Sequence, residues 1–308
     1  MQSKFLFALY TPGRGASAMG TFVTYFLYPL LLAGTLALYL GALKFEWRLA
    51  TVFAWMAGGR LVVLLIVEYL FPAKPQWKMT WASFKRDLKY AAVNGGFAGL
   101  LKLGIAWLAL DLSHLNTGIV ANTSIAAEFL GLVLVYEFFQ YWYHRLSHEG
   151  TGRLNVLLWK MHLPHHLPDS IYLLMHPVSH PLNFLISLTL VQLPFVMLGA
   201  RPEAIFLFNA LMSLQGLVSH FNVDIKAGPL NYLLVGTELH RYHHSADIHE
   251  AKNYGVLTPF WDLVFGTFVY RPRQLPAAIG VFEPERYPNS NDLGAVLMLP
   301  FKKSSAPQ

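Results

Sequence analysis

"IVANTSIAAEFLGLVLVYEFFQYWYHRLSH", residues 119–148, carries two messages that have to be read together. Its apolar part, 119–142, is long enough to cross a hydrocarbon core, which takes roughly 20 helical residues. It then ends in two histidines four residues apart, His144 and His148, which a helix places on one face. A membrane helix that presents paired imidazoles at its end is the feature from which the rest of the chain is read.

Outward from this segment, further apolar runs lie near 21–43, 50–71, 89–111, 182–199 and 203–219. The last two are short, and either dip into one leaflet or form a tight hairpin. The chain of 308 residues is 55% hydrophobic and only 13% charged, with a mean hydropathy of +0.40. Soluble domains carry about a quarter charged residues, so the expected class is an all-α integral membrane protein, a multi-helix transmembrane bundle with a cytoplasmic histidine-rich helical cap. The first run begins about twenty residues in, is too long for a signal-peptide core and lacks a small-residue cleavage site, so it reads as a retained helix. With no cysteine, disulfides, thiolate metal sites, iron–sulfur clusters and cysteine nucleophiles are excluded within this chain. The formal charge of +6 is modest and sits near membrane ends, which gives no reason to invoke nucleic acid.

The 72–89 connection carries Lys74, Lys78, Lys85, Arg86 and Lys89, whereas the 112–118 connection, with His114, carries no basic Lys or Arg. The positive-inside rule then puts the first inside and the second outside, so the residues from His144 onward start on the cytoplasmic side. Short loops favour a bacterial inner membrane as the host. Arg60, Glu68, Lys102, Glu128 and Glu137 lie inside apolar runs and are expected to point into the bundle or snorkel to an interface. The expected organisation is an N-terminal transmembrane region over 1–118, a catalytic region over 119–270 with a membrane hairpin at 182–219, and a fraying tail over 271–308.

Of the 13 histidines, eight fall into three clusters: "HRLSH" (His144, His148), "HLPHH" (His162, His165, His166) and "HRYHH" (His240, His243, His244). At this histidine content an H-x-x-x-H pair arises by chance in about every other sequence of this length, but an H-x-x-H-H only on the order of a few times per hundred. The repeated triplet carries the specificity. On a helix each triplet is expected to aim three imidazoles at a common point. Eight nitrogens exceed what one ion uses, so two metals fit better than one, and imidazole by itself suits Fe, Zn, Cu and Ni alike. His220, in "SHFN", is the candidate ninth ligand, the alternative being a hydrogen-bonded interfacial histidine. His176 and His180 are each followed by proline, which argues against a continuous helix there. Glu137 shares the helix face of His144 and His148 and is a candidate outer partner of a metal-bound imidazole, the alternative being a snorkelling glutamate; Asp262 and Asp247 are further carboxylate candidates.

The three boxes in this order, with "NYG" at 253–255 and "WDLVFGT" at 261–267, resemble the fatty acid hydroxylase / sterol desaturase superfamily over about 120–270. "EFFQYWYHR" entering the first box and "AGPLN" before the third are similar as well. The resemblance implies a membrane-bound non-haem centre of two iron ions held by His144, His148, His162, His165, His166, His240, His243 and His244, with His220 added. It implies a lipid hydroxylase or desaturase of the monooxygenase type, using O2 as co-substrate on an unactivated C–H bond of a lipid such as a fatty acyl chain or sterol. No catalytic side chain separate from the metal ligands is implied, and electrons come from an external donor, a separate reductase or electron-transfer protein. The chain departs from the family at Leu174, where many members carry Arg, and at His180, where an acidic residue is frequent. Related outcomes of the same centre are demethylation-type oxidation and ether cleavage. The alternative from another class is a non-oxygenase membrane protein that binds or transports metal; against it, the histidines crowd beyond the ends of the helices instead of lining a path through them.

Overall fold

A computed structural model describes residues 17–112, 118, 120 and 122–302, and the connection holding His114 lies outside them. Ten α-helices are described: α1 (Ala18–Lys44), α2 (Leu49–Leu70), α3 (Trp81–Leu112), α4 (Ile125–His148), α5 (Arg153–His166), α6 (Pro181–Leu198), α7 (Pro202–Ser219), α8 (Thr237–His243), α9 (Phe260–Phe265) and α10 (Leu293–Leu297). Among the described residues there is no strand, only two isolated bridges. The protein is all-helical, as expected.

Four helices, α1, α2, α4 and α6, are long and apolar enough to cross a membrane. Their outer faces stay exposed, with Trp55 on α2 79% accessible, the signature of surface meant for lipid and not for water. The 182–219 segment is a helical hairpin, closed by Gly199 in the left-handed conformation (φ 66°). Its second arm is not a fifth outward-facing span. In α7, Ala204, Phe208, Ala210 and Leu214 have no accessible surface, and the helix packs against α1, α2 and α4 in the centre of the bundle. An all-round apolar sequence is what a central helix needs, so apolarity alone did not separate it from a span.

The polar residues of the apolar runs mostly turn inward. Arg60 donates to the Ala210 carbonyl and the Thr35 hydroxyl, and Glu128 pairs with Arg201 while accepting its amide. Glu68, near the end of α2, accepts the amides of Leu173 (2.9 Å) and Asn222 (2.8 Å), tying the membrane bundle to two cap segments that flank the histidines. Lys102 is exposed.

The tail does not fray over its described part. Residues Ile279, Val281, Val296 and Leu299 are buried against Trp77, Tyr90, Trp159 and Tyr172. The His180 ring, which caps the N-terminus of α6, accepts the Leu182 amide at Nδ1 and donates from Nε2 to the Leu297 carbonyl. The anchors are single apolar residues separated by polar turns, so they leave no periodic trace in the sequence.

Candidate metal centre

The turn after α4 decides where the second box goes. Gly150 adopts φ 150°, and a Cβ there would stand 2.2 Å from the Asn155 amide nitrogen. That space lets Asn155 donate to the Leu146 carbonyl (3.0 Å), capping α4 while α5 folds back along it. The "EGTG" that closes the first box thus aims α5, with His162, His165 and His166, at His144 and His148.

The third box is held from below. Thr237 donates to the Val218 carbonyl, the Gln215 amide to the Val235 carbonyl, and the buried Arg241 guanidinium to the carbonyls of Phe221 and Val223. These bonds lock α8 to the C-terminal end of α7, where His220 is the capping residue.

The nine histidines gather into two sets. His144, His148, His162, His166 and His243 form one, and His165, His220, His240 and His244 the other, each with ligand atoms within 4.8 Å of one another. Neither triplet aims at a single point. From α5, His162 and His166 join the first set and His165 the second; from α8, His240 and His244 join the second and His243 the first. The reason is angular: on a helix, i and i+4 are about 40° apart whereas i+3 and i+4 are about 100° apart, so i+3 faces a different neighbour. Two uses of one spacing build two adjacent sets, and the rings of His166 and His244 stack at their junction, 4.4 Å between centroids.

The nitrogen geometry tests whether metal fits. Nε2 of His162 lies 3.0 Å from Nε2 of both His144 and His166, and Nε2 of His220 lies 3.1 Å from that of His165 and 3.0 Å from that of His240. Two nitrogens each about 2.1 Å from one ion are separated by about 3.0 Å at a right angle and about 3.4 Å at a tetrahedral angle. The spacing matches neighbouring positions of an octahedral ion.

The opposite ring nitrogens fix the tautomer of three of these histidines. His144 Nδ1 faces the Tyr254 carbonyl (2.8 Å), His165 Nδ1 the Val178 carbonyl (3.0 Å), and His243 Nδ1 the Lys252 carbonyl (3.0 Å). A carbonyl only accepts, so each Nδ1 carries the proton and each Nε2 is a bare lone pair. In the His144–His162 pair both Nε2 atoms are bare, since His162 Nδ1 faces the Asn183 side-chain oxygen, and two such lone pairs repel unless a cation lies between them. Nε2 of His148 and of His243 is buried with no hydrogen-bond partner, as a ligand atom would be. Burial holds His166, His240, His243 and His244 well below the ordinary imidazole pKa, so all four are neutral, the form that binds metal.

The carboxylates act on the backbone. Glu137, fully buried, accepts the amides of Val256 (3.1 Å), Leu257 and Thr258 (3.3 Å) and bonds to no histidine. Asp262 accepts the amides of Tyr254 (2.8 Å) and Gly255 (2.7 Å) and the Thr267 hydroxyl. Together they fix the 254–258 loop whose Tyr254 carbonyl orients His144. Asp247 is exposed and accepts the His249 amide, away from the centre. His176, exposed, stands beside the second set with Nδ1 3.4 Å from that of His220, and Gly216 leaves it room: a Cβ there would come within 3.0 Å of its ring. Sequence reasoning missed Tyr254, which packs on His148 and His144 while its hydroxyl donates to Glu149, and Asn183, whose side-chain oxygen faces His162 Nδ1. The "NYG" signature was the available signal for the first.

Residues 129–267 match the family model of fatty acid hydroxylase. Among curated proteins, the chain is similar to the ornithine lipid hydroxylase OlsE of Rhizobium tropici, 37% identical over 154 residues, which is 49% of this chain and 44% of that protein. It is also similar to the alkylglycerol monooxygenase of Homo sapiens, 28% identical over 51% of this chain and 34% of the relative. A third relative is the very-long-chain aldehyde decarbonylase GL1-7 of Oryza sativa, 25% identical over 42% and 21%. The chain spans less than half the length of these relatives. No solved structure matches.

Proposed function

We propose that this chain, whose residues 129–267 are a fatty acid hydroxylase domain in a membrane protein, is an O2-dependent di-iron oxygenase that hydroxylates or desaturates an aliphatic position of a membrane lipid. The observation that carries the reading is the pair of adjoining imidazole sets with converging Nε2 atoms. Relatives named for acting on an ornithine lipid and an alkylglycerol support a lipid substrate.

In this reading His144, His148, His162, His166 and His243 hold one iron, and His165, His220, His240 and His244 the other. The irons, when bound, supply O2 activation and redox chemistry that no side chain here provides. For hydroxylation the balance is R–H plus O2, two electrons and two protons giving R–OH and water, so an electron donor is needed, in this reading a separate electron-transfer protein. The chain's own residues do the rest. The carbonyls of Tyr254, Val178 and Lys252 hold the ring protons on Nδ1 and keep Nε2 free to bind. Burial keeps bulk water from the ligand atoms. The Tyr254 hydroxyl, bonded to Glu149 (3.0 Å), connects the first set to a half-exposed charged group that also includes Arg145 and Lys252. Residues 1–118 serve as membrane support and 119–270 as the catalytic unit, with the centre facing the cytoplasm of a bacterial inner membrane.

Protein purified into lipid nanodiscs is expected to hold two irons per chain and to consume O2 only with reductant and lipid present, yielding a lipid heavier by one oxygen or lighter by two hydrogens. Metal flux across vesicles with no oxygen consumption would overturn the oxygenase reading in favour of transport.

A further inference from the structure

A charge-poor stretch follows the loop that orients His144. Residues 256–270, "VLTPFWDLVFGTFVY", contain one ionisable acid, Asp262, and it has no accessible surface. On α9, by contrast, Phe260, Leu263, Val264 and Phe265 are 42%, 43%, 54% and 36% exposed. A six-residue helix with apolar side chains outside and a carboxylate inside is inverted for water.

Its position explains the inversion. The Trp261 indole donates to the Leu134 carbonyl (3.3 Å) and its ring meets Phe138 edge-on at 5.1 Å, while Phe265 lies 5.4 Å from Tyr141 and 5.0 Å from Trp142. So α9 runs beside α4 from about 134 to 142. At the other end of α4, the ion pair of Glu128 with the partly exposed Arg201 marks a polar boundary. Counting 1.5 Å per residue from Glu128, α9 stands roughly 9 to 21 Å into a hydrocarbon slab about 30 Å thick. On both sides of it α4 presents exposed apolar residues, Leu130 and Phe139 among them, so the α9 face continues the lipid-facing surface of a span.

Non-helical backbone survives at that depth only if its polar groups are satisfied within the protein. Every amide from Tyr254 to Thr258 is: the first two bond to Asp262 and the next three to Glu137. Two buried carboxylates replace the water such a loop would use on a soluble surface.

We infer that residues 256–265 form a re-entrant segment embedded in the bilayer against α4, with the exposed face of α9 in contact with lipid acyl chains. The metal-site loop is thereby anchored inside the membrane and not in the cytoplasmic cap. This stands on α4 being a span and is independent of the reaction.

The absence of cysteine permits a direct test. Leu263→Cys and Val264→Cys, each carrying a nitroxide, are compared in phosphatidylcholine vesicles with Val62→Cys on the lipid-facing side of α2 and Glu285→Cys on the exposed tail. The expected result is that labels at 263 and 264 relax with O2 and not with a water-soluble nickel chelate, as at 62, while 285 shows the reverse. Nickel access at 263 and 264 equal to that at 285 overturns the inference. So does protection from both agents, which would mean that a second copy of the chain covers the face.

Discussion

Replacing Asp262 by Asn separates the two centres through the backbone. One carboxylate oxygen accepts the Tyr254 amide and the Thr267 hydroxyl, and the other accepts the Gly255 amide. Asn keeps the shape but supplies one oxygen, so whichever way it flips its NH2 faces a buried N–H donor. Losing an acceptor for one buried donor costs about 1–3 kcal/mol. The strain falls on the residue whose carbonyl receives His144 Nδ1 at 2.8 Å. Loss of an outer hydrogen-bond partner typically weakens metal binding about 10–100-fold, or about 1.4–2.8 kcal/mol, the same size as the lost hydrogen bond. The second set takes its orientation elsewhere, from the Val178 carbonyl and the end of α7. Chelator competition on the metal-loaded variant is therefore expected to show one ion weakened by one to two orders of magnitude and the other unchanged. Equal weakening of both ions, or of neither, refutes the route from Asp262 through Tyr254 to His144.

Other expectations follow from the same geometry. His243→Ala and His240→Ala remove ligands from different sets, so each lowers bound metal from two ions towards one and abolishes lipid oxidation; full metal content by elemental analysis in either variant contradicts its assignment. Glu137→Ala strands three backbone amides at once and is expected to cost at least about 3 kcal/mol, read as a lower unfolding midpoint in detergent, with Glu137→Gln intermediate. His180 must be neutral to accept at Nδ1 and donate from Nε2, and burial lowers its pKa in the folded state. Below about pH 6.5 the unfolded chain takes up a proton that the folded one refuses, so stability is full above that pH and falls on acidification by at most about 1.4 kcal/mol per unit. Hydrogen exchange of residues 293–299 reports the loosening, and His180→Gln removes its pH dependence.

The membrane class and the histidine clusters were legible because each depends on local spacing: runs of about 20 apolar residues for spans, and i, i+3, i+4 for imidazoles that share a helix face. His220 was legible as a candidate, being an unexplained histidine at the end of an apolar run. The division of labour within a triplet was not. Whether His165 joins His162 or His220 depends on how α5 and α8 come together, and that is set by groups other than the imidazoles, among them the room at Gly150 and the hydrogen bonds of Asn155, Arg241 and Thr237.

The sequence by itself determined an apolar helical bundle and a supply of imidazoles, since composition and periodicity belong to the chain before it folds. Only tertiary structure decided what the carboxylates do. Glu137 lies on the histidine face of α4, as its seven-residue spacing required, yet a loop 120 residues later brings amides close enough to claim it first. The same holds for α9 and the tail: "FWDLVF" is far too short to read as a membrane segment, and becomes a lipid-facing element only because Trp261 reaches Leu134 in the middle of a span. Such long-range contacts leave no periodic mark, because each partner needs only one residue of the right kind.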